Sequence, residues 1–95
     1  MDYQGKRWRN KRAKILRHAK YKDQELARYG KTADATVVHH IFPAEDYPQY
    51  AWEDWNLAAV SQTTHNALHD RNTGALTKRG VELLERTARK KGIDL

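Results

Sequence analysis

Val37-Val38-His39-His40-Ile41-Phe42-Pro43 is the stretch around which the rest of the chain arranges itself. Residues 35–41 are β-branched and apolar apart from the two histidines, which reads as a strand, and Pro43 ends it. Four of the five histidines cluster near this strand in sequence: His39 and His40 are adjacent, and His65 and His69 follow four residues apart. On a helix that spacing stacks two imidazoles on one face. A third imidazole from a facing strand would complete a three-ligand site for a divalent transition metal, with positions left open as catalysis requires.

Working outward, Asn56-Leu57-Ala58-Ala59-Val60 reads as a second short strand, able to pair with residues 35–41 across a long acidic loop. Ser61-Gln62-Thr63-Thr64 offers N-cap residues, and a helix is expected from there through His65, Leu68 and His69. The order is strand, loop, strand, helix. Before it, residues 8–20 space Trp8, Arg12, Ile15, Leu16 and Ala19 as a helix with a basic outer face. Residues 21–29 suggest a further helical piece with Leu26, Ala27 and Tyr29 inward, stopped at Gly30. The first few residues read as a loose arm. At the other end Thr77 caps a helix over 78–91, with Val81, Leu84 and Ala88 inward and Gly92 as its stop. The fold class expected is α+β. It is a single 95-residue domain in which a basic helical region (1–34) and a C-terminal helix (72–95) flank a ββα core (35–71).

Composition limits what such a domain can be. With 39% hydrophobic and 32% charged residues the core is modest, and small domains of this kind often need a staple. No cysteine is present, which excludes disulfides and thiolate zinc sites. No long apolar run or signal-peptide pattern is visible, so the expected location is cytoplasmic, with no membrane partner. The net charge of +6 is unevenly spread. Residues 1–31 carry 11 Lys and Arg against 3 acids, residues 32–70 carry none against 6, and residues 71–95 carry 7 against 3. Basic flanks around an acidic centre suit a polyanion such as DNA or RNA, or simply a solvated surface.

Val38-His39-His40-Ile41, then Asn56-Leu57, then His65-Asn66-x-x-His69-x-Arg71 resembles the HNH endonucleases of the ββα-metal class, in particular the small phage and prophage type. The resemblance implies that His40 is the general base, that His39, His65 and His69 hold one divalent metal, and that Asn56 keeps His40 oriented. It places Arg71 near a phosphate. Arg9 and Arg12 on the basic helix are further candidates for nucleic-acid contact. Three imidazoles favour Zn²⁺, Ni²⁺, Co²⁺ or Mn²⁺ over Mg²⁺. A packaging partner such as terminase, in a phage-infected bacterial host, is implied by the resemblance alone. Many relatives carry two Cys-x-x-Cys pairs around a structural zinc. The matching positions here are Asp23, Leu26, Ser61 and Thr64, so no structural zinc is expected, and packing by Leu26, Trp52 and Trp55 is expected to replace it.

The chemistry holds together without the family. Hydrolysis of a phosphodiester needs a base near neutral pKa for the attacking water and a Lewis acid for the charge that develops. Successive strand residues point to opposite faces, so His39 and His40 can serve one site only if the strand ends or bends there. The other reading is a non-catalytic DNA-binding module in which the metal is structural. His18 reads as an ordinary surface histidine and Asp70 as solvated.

Overall fold

The computed structural model describes residues 1–95, as α1 (Lys6–His18), α2 (Gln24–Ala27), β1 (Val37–His40), β2 (Leu57–Val60), α3 (Gln62–Leu68) and α4 (Lys78–Lys91). Two 3₁₀ turns, Pro48–Tyr50 and Asp54–Asn56, shape the connection between the strands. The strands pair antiparallel with Val37 opposite Val60, Val38 opposite Ala59, His39 opposite Ala58 and His40 opposite Leu57. Thr36 N and Ile41 N donate to the Val60 and Asn56 carbonyls and lengthen the ladder by one bond at each end. The partners of His39 and Val38 are alanines, so the bulk over the sheet comes from the helices.

Two apolar clusters lie on the sheet. In one, Trp8, Ile15 and Leu16 of α1 pack on Val38, Leu57 and Ala59. In the other, Leu68 of α3 and Leu83, Leu84 and Ala88 of α4 pack with Ile41, Phe42, Ala58 and Val60. The inward face of α4 includes Leu83 and the buried Gly80, while Val81, expected inward, is exposed. The reason is close packing: a Cβ at Gly80 would fall on the Leu68 carbonyl oxygen, so only glycine lets α4 approach the end of α3. The N-terminal residues are not a loose arm. α1 starts at Lys6, and Tyr3 sits edge-on to Trp8 with ring centroids 5.5 Å apart.

The short α2 departs further from expectation. Ala27 and Tyr29 are exposed, and the buried residues are Asp23 and Glu25. Glu25 accepts two hydrogen bonds from Arg86 of α4, at 3.0 and 2.9 Å. Asp23 Oδ1 accepts from Leu26 N, capping α2, and its Oδ2 accepts from Ser61 N, the residue that caps α3. Ser61 Oγ in turn accepts from Thr64 N and lies 3.1 Å from Thr64 Oγ1. Asp23, Leu26, Ser61 and Thr64 are the four positions matched to cysteines in relatives. They join through one buried carboxylate rather than through the apolar packing expected of Leu26, Trp52 and Trp55. Trp52 and Trp55 instead pack against the two separate clusters.

Burial pushes the Asp23 carboxyl up, but the hydrogen bonds from Ser61, Leu26 and Thr64 outweigh it and hold it below the ordinary value. A carboxyl depressed in the folded state adds stability above its unfolded pKa, and that stability is lost as pH falls through the folded value. The wild-type chain is therefore expected to weaken below about pH 4. Asp23→Ala should cost about 2–3 kcal/mol near neutrality and flatten that acid limb. Urea denaturation across pH measures both, and a variant that keeps the wild-type midpoint refutes the carboxylate junction.

Candidate metal centre

His39, His65 and His69 come together from three directions. β1 ends at His40, so His39 is held by the strand ladder on the face opposite Val38. Ser61 caps α3, and its carbonyl accepts from the N–H of His65, which stands in the helix's last turn. His69 is not on the helix as expected. It lies one residue beyond, in extended backbone (φ −127°, ψ 141°), in an antiparallel bridge with Leu76. The three ligand nitrogens lie within 4.8 Å of one another.

Protonation of the rings follows from their partners. His69 Nδ1 lies 3.0 Å from the Gly74 carbonyl, which only accepts, so Nδ1 carries the proton and Nε2 keeps its lone pair. That Nε2 is 3.3 Å from His39 Nδ1. Two nitrogens sharing a tetrahedral ion at about 2.1 Å would be about 3.4 Å apart. Burial, then the neighbouring His69, His65 and His40, lowers His39 to about 3, so it is neutral at any physiological pH. Burial and then His69 lower His65. His39 Nε2 is buried without a hydrogen-bond partner. Three ring nitrogens within 4.8 Å of one another, one of them from a His39 that stays neutral, fit a divalent cation better than they fit a self-contained hydrogen-bond network.

His40 leaves the trio and faces the other way along the strand. Its Nε2–H donates to the Ala51 carbonyl at 3.0 Å, which leaves the Nδ1 lone pair available. Its ring stacks on Trp8, with centroids 5.2 Å apart and planes 18° apart, and Tyr3 stands edge-on at 6.1 Å. Burial lowers the His40 pKa, and the Ala51 carbonyl partly offsets this. Because the strand ends here, His40 still reaches the same cavity as His65 and His69. That cavity is about 400 Å³, and Tyr3, Glu45 and Gly74 also line it.

Asn56 lies beneath, fully buried. Its Oδ1 accepts from Phe42 N at 2.7 Å, and its Nδ2 donates to the carbonyls of Phe42 and Tyr50, both at 3.1 Å. One side chain thus ties the residue two past His40 to the residue just before Ala51, whose carbonyl sets the His40 ring.

The arginines are less assembled. Arg71 is exposed on the turn between His69 and Gly74. The Asp70 carboxylate is not simply solvated: it accepts from Asn72 N and Thr73 N and shapes that turn. Arg9 is exposed on α1, while the Arg12 guanidinium donates to the Thr36 carbonyl at 2.6 Å. Sequence reading missed the Trp8 stack and the carbonyls of Ala51 and Gly74. Trp8 looked like a plain core residue, and carbonyl partners leave no mark in a sequence.

A two-stranded ββα arrangement with a histidine trio between strand and helix is an HNH-type nuclease fold. The chain is similar to the HNH endonuclease of the deep-sea thermophilic bacteriophage GVE2, whose crystal structure was determined with manganese ion. The likeness covers 67% of this chain and 70% of that one, at 26% identity and a TM-score of 0.65. No protein-family profile and no curated protein matches the chain. No helix is long and apolar enough to cross a membrane.

Proposed function

We infer that this chain is a metal-dependent endonuclease that hydrolyses DNA phosphodiester bonds, its 95 residues acting as one nuclease domain. The observation that carries the reading is a histidine with a free Nδ1, His40, opening onto the same cavity as His65 and His69 of the trio. A metal site that served structure alone would have no use for a separately positioned imidazole beside it. The similarity to a phage HNH endonuclease supports the same reading.

His39, His65 and His69 would hold the ion. When bound, it supplies Lewis-acid stabilisation of the phosphoryl oxygens and of the leaving 3′ oxygen. His40 Nδ1 accepts the proton of the attacking water, and the Ala51 carbonyl steadies the resulting imidazolium through Nε2–H. Asn56 positions both strand end and loop. Arg71, on the cavity's rim turn, and Arg9 are free to meet phosphates. Arg12 would first have to leave Thr36. The ion is Zn²⁺, Mn²⁺, Ni²⁺ or Co²⁺ in preference to Mg²⁺, by the all-nitrogen donor set. A terminase partner is a further proposal from the phage resemblance.

Supercoiled-plasmid nicking tests the activity, with EDTA and with each metal added singly. Cleavage that needs a metal supports the reading. DNA binding without cleavage under every metal would favour the non-catalytic module instead. Metal titration tests the ligands: His65→Ala and His69→Ala should each weaken affinity by about tenfold or more, since two imidazoles remain where three converge. Unchanged titrations in both variants would remove the three-ligand site.

A further inference from the structure

We propose that the groove between α2 and α4 is a second DNA-contacting surface, which binds the phosphate backbone away from the cut. It rests on the reading that the chain's partner is DNA. The groove encloses about 360 Å³ over the edge of the sheet, and none of its lining residues lines the histidine cavity. Its walls carry Arg28, Arg86, Lys90 and Lys91 against two acids, Glu25 and Asp54.

Both acids are already committed. Glu25 lies at the buried end and is held by Arg86 at 2.9 Å and Arg28 at 3.6 Å. Asp54 is held by Lys11 and Lys14 of α1, at 2.5 and 2.8 Å. The Lys90 and Lys91 ammonium groups have no carboxylate partner. Lys91 is instead held over the Trp55 ring, 5.2 Å from its centroid, which sets its charge at the groove wall.

The Asp54 junction extends the charge. Lys11 and Lys14 also border a neighbouring hollow with Arg7, whose guanidinium stacks 3.8 Å over Trp52. A basic band therefore runs from α1 through Asp54 to α4, joining the two ends of the chain where Lys and Arg are in excess. A phosphodiester backbone matches it in charge. It also offers Lys11 and Lys14 an anion to share with Asp54. Arginines fixed by Glu25 and a lysine held over tryptophan are pre-placed, which limits the ordering cost of such contacts.

The test is DNA binding, measured by fluorescence anisotropy in EDTA so that no cleavage intrudes. The probe is a labelled random-sequence duplex, titrated over a range of salt. Lys90→Ala/Lys91→Ala is compared with Lys31→Ala/Lys78→Ala, which removes the same charge from exposed sites outside the groove. The groove pair should weaken binding by about fivefold or more and reduce the salt slope by about 2, while the control pair changes little. Equal effects from the two pairs, large or absent, overturn the groove, and so does a wild-type chain that does not bind DNA. Metal-dependent hydrolysis of bis(p-nitrophenyl) phosphate, too small to reach the groove, should be the same in the groove pair and wild type. A chain that hydrolyses nothing defeats the nuclease reading and leaves the binding comparison to decide the groove.

Discussion

His40→Ala is expected to lower the rate of phosphodiester hydrolysis by about 10²–10⁴-fold while metal uptake stays near wild type. The two halves of that result come from different parts of the geometry. The nitrogens that converge are those of His39, His65 and His69, and His40 is not among them. Its own ring is held by the Ala51 carbonyl, the Trp8 face and the Tyr3 edge, none of which touches the trio. Removing it leaves a gap beside Trp8 but does not disturb the ladder bonds, which are backbone. Burial keeps His40 below the usual imidazole pKa, so the ring is neutral and able to accept a proton at neutral pH. Plasmid nicking and metal titration on the same preparation give both readouts. Full cleavage by the variant would remove His40 as base, and lost metal binding would show that it acts as a ligand.

Asn56→Ala should be the most destabilising single change near the site, by about 3 kcal/mol or more. The side chain makes three hydrogen bonds to backbone groups at Phe42 and Tyr50, in a place with no access to water. Truncation leaves one N–H and two carbonyls to find new partners, at a cost of about 1–3 kcal/mol for each that does not. For a domain of this size that is a large share of the total, typically about 5–15 kcal/mol. Asn56→Asp separates the clamp from mere bulk. A carboxylate can still accept from Phe42 N, but it turns a negative oxygen toward two carbonyls, so it should be at least as damaging as alanine at neutral pH. Urea denaturation ranks the variants. An Asn56→Asp chain as stable as wild type would show that the two Nδ2 bonds contribute nothing.

The sequence carried the parts of this site that depend on spacing. His39 and His40 in a short strand, the Asn-Leu at the next strand and the capped helix carrying His65 all lie where the pattern put them. The helix was read one residue too far. His69 was grouped with His65 by its four-residue spacing, but it has left α3 and is fixed by Leu76 and the Gly74 carbonyl. Spacing cannot tell a helical pair from a helix residue followed by an extended one. Burial of charge was the other blind point. Nothing near Glu25 and Asp23 in sequence marks them as buried, because their partners, Arg86 and Ser61, are 61 and 38 positions away. Val81 was misread because a glycine, Gly80, occupies the contact that the apolar pattern assigned to a larger side chain. The Trp8–His40 stack depends on how α1 crosses the sheet, which local periodicity does not encode.

The junction at Asp23 has a consequence for the environments in which this fold can persist. A scaffold joined by four zinc-bound thiolates can be undone by oxidants, alkylating agents or thiophilic metals such as mercury. Here α2 and α3 are joined by a carboxylate, three backbone amides and two hydroxyls, none of which those reagents attack. The exchange trades chemical vulnerability for vulnerability to acid: a proton on Asp23 does to this joint what peroxide does to a zinc ribbon.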